Sequence, residues 1–370
     1  MSGNAPATWV YVGTFTHHGP GERGRADGFY CYSFDSDSGA LRLAQEIPDV
    51  PSPAFLALAP DGRTLYAVNE VPSIDGHDGG AVSAFARDPG TGRLSFLNRE
   101  ASHGGDPCHL MVDATGQYVL VANYATGSVA MLPVESDGSL KQASDIHQHS
   151  GSSVHPVRQQ GPHAHSITPD PTNTVALVAD LGLDQVLIYR IDLELGRLAP
   201  HDPPFASLHP GAGPRHLAFH PGASFVYVIN ELDSTITACR WDLVGGVLEP
   251  RQTISTLPEG FDGRNSCADV HVRPDGRFLY GSNRGHDSIA IFAIDPLDGT
   301  LAPAGHQSTL GEEPRNFGID PTGRYLLAAN QNSDTIVTFR VDGESGRLEE
   351  TGNVTMAPSP VCLLFATRDA

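Results

Sequence analysis

Positive charge is scarce in this sequence of 370 residues. Its 23 Lys and Arg residues stand against 43 Asp and Glu residues, which leaves a formal net charge of −20 at pH 7. Lys141 is the only lysine. Nucleic-acid-binding domains carry a basic patch or stripe, and clusters of basic residues attract anionic membranes. The charge balance therefore argues against nucleic acid and against a membrane as partners.

Cysteine is also rare, and its five residues follow no Cys-x-x-Cys spacing. They are Cys31, Cys108, Cys239, Cys267 and Cys362. An odd, scattered set argues against a disulfide framework and against a thiolate zinc site. Residues 1–7 lack the basic and apolar segments of a signal peptide, and the apolar run at 8–15 is too short to span a membrane. We therefore expect a cytoplasmic protein with reduced thiols.

Several catalytic signatures are missing. The sequence has no Gly-x-Ser-x-Gly elbow, no His-Glu-x-x-His motif and no P-loop, so covalent serine, zincin and nucleotide chemistry have no support. The pairs His163/His165 and His147/His149 have a spacing that places both rings on one face of a strand, where a metal ion can bind. Two histidines alone are a weak signal, and we expect no metal and no cofactor.

The chain does contain a repeat of short apolar runs separated by turns. Turns with glycine at the same place recur at 60–63, 274–277 and 321–324, and no stretch keeps a helical period. First strands of the repeat begin near seven landmark residues, about fifty residues apart, as in four-stranded propeller blades. These landmarks are Pro53, Pro107, Pro162, Pro214, Cys267, Pro314 and Pro360. The pattern predicts an all-β fold, a seven-bladed β-propeller with four antiparallel strands per blade.

The seventh repeat is divided between the two ends of the chain. Residues 360–366 supply only a first strand, while 8–15, 28–34 and 41–47 supply three strands without a first. Pairing the N-terminal strands with the C-terminal strand would close the ring and remove the exposed sheet edges. We therefore expect one domain over residues 1–370. A segment at 144–160 interrupts the repeat and is expected at the rim, where it can form a lid.

Polar residues vary at the positions where the first strands begin and the second strands end. Arg215 begins one strand and Glu231 follows the next, so antiparallel pairing brings both to one edge of the sheet. We expect the equivalent side chains of other blades to meet them at the mouth of the central channel. These are His163, Arg315, Arg284 and Glu70, and His165 is a lone histidine in an otherwise apolar column.

Three arginines in an acidic protein form a local anion site, because the guanidinium fork matches carboxylate and phosphate groups. A carboxylate and a histidine beside it suit acid/base chemistry. The alternative is that the arginines only neutralise Glu231 and Glu70 in structural ion pairs.

These residues also carry a resemblance. The segments at 161–165 (Gly-Pro-His-Ala-His), 213–216 (Gly-Pro-Arg-His), 228–231 (Val-Ile-Asn-Glu), 281–284 (Gly-Ser-Asn-Arg) and 11–14 (Tyr-Val-Gly-Thr) resemble the seven-bladed propeller lactonase family. That family includes bacterial cytosolic 6-phosphogluconolactonases and fungal carboxy-muconate cyclases. The resemblance implies a metal-independent site, at the channel mouth, for a lactone with an anionic substituent. The fifth blade departs from the pattern with Ser-Cys-Ala-Asp at 266–269.

The candidate site residues fall into two groups, and the resemblance implies the first. The catalytic group is His163 or His165, Arg215, Arg284 and Glu231. The group expected to bind substrate is Arg315, His216, Glu70 and Tyr124. The arginines would hold a phosphate and the developing oxyanion, and Glu231 or one of the two histidines would activate water.

We therefore expect a hydrolase that opens 6-phosphoglucono-1,5-lactone, acting as a monomer or weak homodimer on a small anionic lactone. One alternative is a cycloisomerase that uses the arginines for substrate carboxylates. A second is a calcium-dependent sugar lactonase with Glu231, Asn230, Asn283 and Asp180 as oxygen ligands. The third is a propeller that only binds a partner and catalyses nothing.

Overall fold

All regular secondary structure is β-strand in the computed structural model, which describes residues 8–16 and 24–367. Within those two ranges there is no helix, and hence none long and apolar enough to cross a membrane. Seven four-stranded antiparallel sheets account for nearly all strands. A short hairpin of Ser73–Ile74 with His77–Asp78 forms a separate two-stranded sheet. The predicted all-β class is confirmed.

The seven sheets are numbered as blades 1 to 7 in the order of their first strands. The first strands are Leu56–Leu58, Pro107–Val112, Ala164–Pro169, Pro214–Phe219, Ser266–Val272, Pro314–Ile319 and Pro360–Thr367. The second strands are Thr64–Asn69, Tyr118–Asn123, Val175–Asp180, Phe225–Asn230, Phe278–Arg284, Tyr325–Asn330 and Thr8–Thr14. The third strands are Ala81–Arg87, Ser128–Pro133, Gln185–Asp192, Thr235–Asp242, Ser288–Ile294, Thr335–Val341 and Gly28–Phe34. The fourth strands are Leu94–Ala101, Asp145–Gln148, Arg197–Ser207, Val247–Ser255, Leu301–Ser308, Leu348–Met356 and Leu41–Pro48.

The first strands form a closed inner ring. Each contacts the first strands of both neighbouring blades, and the strand Pro360–Thr367 contacts those of blades 6 and 1. Thr8–Thr14 pairs with this C-terminal strand, with Trp9 opposite Ala366. The predicted closure between the two ends of the chain is therefore confirmed. It leaves each sheet packed against two others, with every first strand flanked by the first strands of the two neighbouring blades.

Buried tyrosines of the second strands link neighbouring blades. The Tyr227 hydroxyl donates to the carbonyl oxygen of Gly299 at 3.0 Å, and the Tyr280 hydroxyl donates to that of Gly346 at 2.9 Å. Tyr11, Tyr66 and Tyr325 make the same kind of bond to the blade that follows each of them. Gly299 has a φ of 74°, and a Cβ there would lie 2.4 Å from the ring of Phe225. The recurring Gly-x-Leu turn thus keeps its glycine because the preceding blade packs directly against it.

The segment at 144–160 is only partly an insertion. Asp145–Gln148 is the fourth strand of blade 2, and it pairs with Ser128–Pro133. The following residues, 149–162, form a loop without regular strand, which leads to the first strand of blade 3. We call residues 149–162 the rim loop.

Candidate active site

One edge of every blade combines the start of the first strand with the end of the second. In blade 4 Pro214 pairs with Asn230, and in blade 5 Ser266 pairs with Arg284. The backbone amide of Glu231 donates to the carbonyl oxygen of Gly213 at 2.7 Å, which fixes the residue at that edge. The edges of all blades face the same end of the ring, which we call the upper face.

Glu231 binds three arginines from three parts of the chain. Its Oε2 accepts a hydrogen bond from Nε of Arg215 at 3.0 Å and lies 3.0 Å from Nη2 of Arg284. Its Oε1 accepts from Nη2 of Arg158 at 2.7 Å. Only 5% of the Glu231 side chain is exposed. The predicted meeting of Arg215, Arg284 and Glu231 is thus found, while Arg158 is an additional member from the rim loop.

The charges of this cluster perturb one another strongly. Burial alone would raise the pKa of the Glu231 carboxyl, but Arg284, Arg215 and Arg158 together hold it well below its usual range. Burial, with Arg315 and Arg284 nearby, lowers the pKa of Arg215 to about 9. Glu231 is therefore a weak base that organises cations, and the cations still exceed the negative charge beside them.

A buried chain of hydrogen bonds holds Arg215 from behind. Its Nη1 donates to the carbonyl oxygen of Ala268 and to Nε2 of His216, the latter at 3.2 Å. Nδ1 of His216 donates to Oδ1 of Asp269 at 2.8 Å, and Nε2 of His271 donates to Oδ2 of Asp269 at the same distance. The first strand of blade 5 thus supports Arg215, although its sequence departs from the repeat. His216 is buried and contacts Arg215 from within the fold.

His163 is placed to accept a proton. Its Nδ1 donates to the carbonyl oxygen of Tyr124 at 2.9 Å, so the neutral ring carries its lone pair on Nε2. The ring stacks on Tyr124 with the centroids 4.7 Å apart. The Tyr124 hydroxyl accepts from Nη2 of Arg158 at 2.8 Å, which connects His163 to the arginine cluster. Both sequence-predicted residues, His163 and Tyr124, therefore border the cluster, and His163 is half-buried.

His165 lies deeper than His163. Its Nε2 is 4.0 Å from Oε2 of Glu231, and its ring is buried against Tyr124 and His216. Burial and the nearby charge of Arg215 lower the pKa of His165 well below the usual value, so the ring is neutral. A neutral ring beside Glu231 shapes the mouth of the channel, whereas the open lone pair of His163 makes it the stronger candidate base.

The strand register corrects one sequence alignment. A β-bulge interrupts the first strand at Arg215, at Arg315, at Cys108 and at His165. His165, and not His163, therefore occupies the position of Arg215 in blade 3. The alignment on Pro162 was wrong by two residues, because the landmark proline does not begin that strand. Bulges of this kind turn an extra side chain toward a site, which explains why a polar residue stands there.

Arg315 and Glu70 complete the set expected at the mouth. The guanidinium carbon of Arg315 lies 5.1 Å from the ring centre of Phe15. Burial and the charge of Arg284 lower the pKa of Arg315, while Glu70 and Glu231 oppose that shift. Arg315 therefore lies within electrostatic reach of both Glu231 and Glu70.

The rim loop was assigned no site residue from the sequence, yet it supplies Arg158. The loop is anchored by Asp184, whose carboxylate accepts from the side chains of Ser153 and Gln159. The same carboxylate accepts from the backbone amides of Gly211 and Gly213, which precede the strand of Arg215. Asp184 thus fastens the loop of Arg158 and the strand of Arg215 to one point. The only sequence signal was the excess of His and Arg within 144–160.

Two of the oxygen ligands proposed for calcium, on Asp180 and Asn283, already accept hydrogen bonds from protein groups. Oδ2 of Asp180 accepts from Nδ1 of His149 at 2.7 Å, and Oδ1 of Asn283 accepts from the Thr256 hydroxyl at 2.7 Å. Glu231 is surrounded by cations that would repel a metal ion. Across residues 8–16 and 24–367, no three His, Cys, Asp or Glu side chains are grouped to hold a metal. The residues present do not fit the calcium alternative.

Two surface grooves lie at the opposite end of the ring. One, with a volume of about 1020 Å³, is lined by the turns between first and second strands of blades 1 and 2. Its buried cation, Arg87, already donates to the Tyr11 hydroxyl and to the carbonyl oxygens of Gly62 and Thr367. The groove offers no group that is held ready for a ligand, so the upper face remains the better candidate.

Comparison with known proteins agrees with this geometry. The family description "Lactonase, 7-bladed beta-propeller" matches residues 9–365. A 6-phosphogluconolactonase of Bacillus subtilis (strain 168) is 36% identical over 362 residues, covering 96% of this chain and 97% of that protein. The structure of a periplasmic gluconolactonase of Pseudomonas aeruginosa is 36% identical, with a TM-score of 0.89 and 98% and 99% of the two chains covered. The resemblance in the sequence is confirmed, and the chain belongs to the seven-bladed β-propeller lactonase family.

Proposed function

We propose that this protein hydrolyses 6-phosphoglucono-1,5-lactone to 6-phosphogluconate. The observation that carries the proposal is the arrangement at the channel mouth, where Glu231 holds three arginines beside a histidine with an open Nε2. The name of the Bacillus subtilis relative supports the same substrate. The excess of positive charge suits a lactone that carries an anionic substituent.

In the proposed reaction, His163 Nε2 takes a proton from water as the water oxygen attacks the lactone carbonyl carbon. The carbonyl oxygen becomes an oxyanion, which cationic hydrogen-bond donors stabilise. The bond from that carbon to the ring oxygen then breaks, and the ring oxygen receives the proton from His163. The free acid loses its proton to solvent, so each turnover releases one proton.

Arg284 is the proposed donor to the oxyanion. Its described hydrogen bonds use only Nη2, which donates to the carbonyl oxygen of Cys267 at 2.9 Å and faces Glu231. Its Nε is buried without a hydrogen-bond partner among the described residues. An unsatisfied buried donor costs about 1 to 3 kcal/mol. A hydrogen bond from this Nε to a substrate oxygen would remove that cost. Arg215, held at the back by His216, supports the same charge.

Compartment and assembly stay predictions. The five cysteines are all buried and unpaired, as expected for the cytoplasm, but one similar structure is that of a periplasmic protein. A monomer or weak homodimer with a small anionic lactone as its only partner is the proposal for assembly.

The test is proton release from freshly prepared 6-phosphoglucono-1,5-lactone in weak buffer, compared with the spontaneous reaction. We expect acceleration that persists in EDTA and falls at least about 100-fold in His163→Gln, Arg215→Ala and Glu231→Ala. If the lactone is hydrolysed no faster with the protein than in buffer alone, the result would favour a propeller that only binds a partner. Conversion of carboxy-muconate without lactone hydrolysis would favour the cycloisomerase. If the three variants hydrolyse the lactone as fast as wild type, the assignment of the site would be refuted.

A further inference from the structure

We propose that Arg158 of the rim loop binds the phosphate of the substrate, so that this loop makes the site prefer a phosphorylated lactone over an unphosphorylated one. This inference rests on the proposed function, which leaves open how the two lactones are distinguished. Preference for a phosphorylated or an unphosphorylated lactone has to be decided, because the similar proteins include a 6-phosphogluconolactonase and a gluconolactonase.

Exposure separates Arg158 from the other two cations of the cluster. Its side chain is 35% exposed, against 3% for Arg215 and 10% for Arg284. A phosphate dianion is strongly hydrated, and burying it completely costs more than leaving part of it in water. The phosphate therefore fits best at the exposed cation, while the less hydrated carbonyl oxygen fits the buried ones.

Arg158 also has donors to offer. The described hydrogen bonds of its side chain all use Nη2, which donates to Glu231 and to the Tyr124 hydroxyl. Neither Nε nor Nη1 of Arg158 makes a described hydrogen bond. Nη1 carries two N–H groups and Nε carries one, and each of these charged donors can bind a phosphate oxygen. Arg158 can thus keep Glu231 and bind a phosphate at the same time.

The turn that carries Arg158 is organised before any ligand arrives. Nδ1 of His155 accepts from the backbone amides of Val157 and Arg158, at 3.3 and 3.1 Å. The buried side chain of Gln159 accepts from the amide of His155 at 2.9 Å and donates to Asp184 at 2.7 Å. A binding group that is already positioned loses little conformational entropy when the ligand binds.

The charge of the cluster matches a phosphate monoester. Arg158, Arg215 and Arg284 contribute three positive charges and Glu231 one negative charge, so 3 − 1 = 2 positive charges remain. A phosphate monoester carries about −1.5 to −2 at pH 7. A neutral sugar lactone would leave this excess uncompensated.

The test compares 6-phosphoglucono-1,5-lactone with glucono-1,5-lactone in Arg158→Gln and Arg158→Lys. We expect the ratio of kcat/KM for the phosphorylated to the unphosphorylated lactone to fall about 10- to 100-fold in Arg158→Gln, chiefly through KM. The ratio for Arg158→Lys should fall between those of wild type and Arg158→Gln, since lysine keeps the charge but cannot donate to Glu231, Tyr124 and a phosphate in the planar arrangement of a guanidinium. Arg251→Gln, on an exposed outer strand, is the matched control and should leave the ratio unchanged.

A binding experiment separates this inference from the proposed function. Calorimetric titration with 6-phosphogluconate and with gluconate measures the same preference without catalysis, and wild type should bind the phosphorylated acid more tightly by a factor that Arg158→Gln loses. If wild type hydrolyses neither lactone but shows this loss, the proposed function fails and the role of Arg158 stands. The inference would be overturned if Arg158→Gln kept the wild-type ratio of kcat/KM values for the two lactones and the wild-type ratio of affinities for the two acids. This holds whether Arg158→Gln loses activity on both lactones or on neither.

Discussion

Nδ1 of His216 donates a hydrogen bond to Oδ1 of Asp269 at 2.8 Å, and this bond decides which ring nitrogen faces Arg215. Because Nδ1 carries the proton, Nε2 has the lone pair that accepts from Nη1 of Arg215. A buried carboxylate thus sets the orientation of a guanidinium at the mouth. Blade 5, whose first strand departs from the repeat, contributes through this bond.

Replacing Asp269 with Asn should misplace Arg215 without unfolding the ring. The amide group can donate to Nδ1 of His216, which moves the ring proton to Nε2 and removes the acceptor for Arg215. We expect kcat to fall about 10- to 100-fold, since a hydrogen bond to a charged group contributes about 1.5 to 3 kcal/mol. Nitrogen NMR of the His216 ring should report the change of tautomer.

Asp298→Asn is the control for that experiment, because Asp298 lies in an exposed turn between the third and fourth strands of blade 5. It should leave kcat and the His216 resonances as they are. An Asp269→Asn protein with full activity and the original tautomer would contradict the proposed role of the bond.

Glu231→Gln should lower the stability of the protein as well as its lactonase activity. The carboxylate is buried against three arginines, and removing one partner of a buried charged cluster costs about 3 to 5 kcal/mol. Chemical denaturation should show this loss. Inorganic phosphate should then raise the melting temperature of Glu231→Gln more than that of wild type, because the anion replaces the missing negative charge.

The surface residue Glu249 provides the comparison. It pairs with Arg251 on an exposed strand, so Glu249→Gln should cost less than about 1 kcal/mol and gain nothing from phosphate. Equal destabilisation by the two substitutions would mean that the Glu231 cluster is no more than a surface ion pair.

Stability should depend on pH through His216. Burial and the charge of Arg215 lower its pKa from 6.5 to about 4 in the folded chain. Between these values the unfolded chain binds a proton that the folded chain does not, so the free energy of unfolding falls as pH drops through this window. His216 alone should account for a loss of about 3 kcal/mol between pH 6.5 and 4.

Urea denaturation at several pH values measures this dependence. His216→Gln should reduce the slope of unfolding free energy against pH by about one proton, or about 1.4 kcal/mol per pH unit, within the window. His209→Gln, at a half-exposed histidine, serves as control. The fold holds the pKa values of Glu231 and Asp269 low. Their contributions to the free energy of unfolding are therefore lost only in more acidic solution, below the pKa of about 4 that such carboxyls have in the unfolded chain. The same slope in His216→Gln and wild type would refute the assignment.

The fold could be predicted because each blade repeats the same local rules. Apolar runs, glycine turns and the divided seventh repeat together determined the ring, and the tyrosine bonds between blades explain why the turns recur. The register of blade 3 could not be predicted from the landmark prolines. Its first strand begins at Ala164, two residues after Pro162, whereas Pro107, Pro214 and Pro314 themselves begin the strands of blades 2, 4 and 6.

Only the site residues that stand at repeated positions of the blades could be predicted from the sequence. Arg215, Arg284 and Glu231 stand at repeated positions whose strands share one edge, so their meeting followed from antiparallel pairing. Arg158 lies outside any repeat, and its place depends on contacts with Asp184, which is distant in sequence. Loops that are fixed by such contacts have no periodic signal, and their members emerge only from the folded chain.

Asp184→Asn should therefore affect substrate binding without touching substrate. The amide offers one acceptor oxygen in place of the carboxylate that holds Gln159 and the amides of Gly211 and Gly213. With its anchor weakened, the rim loop positions Arg158 less well, and we expect KM for the phosphorylated lactone to rise about 10-fold while kcat changes less. Asp320→Asn is a matched control, because Asp320 is a buried turn residue at the opposite end of the ring, where its carboxylate accepts from Arg324 and Tyr325 amides. Asp320→Asn should lower the melting temperature with KM unchanged, and equal KM values in the two variants would show that Asp184 stabilises the fold only.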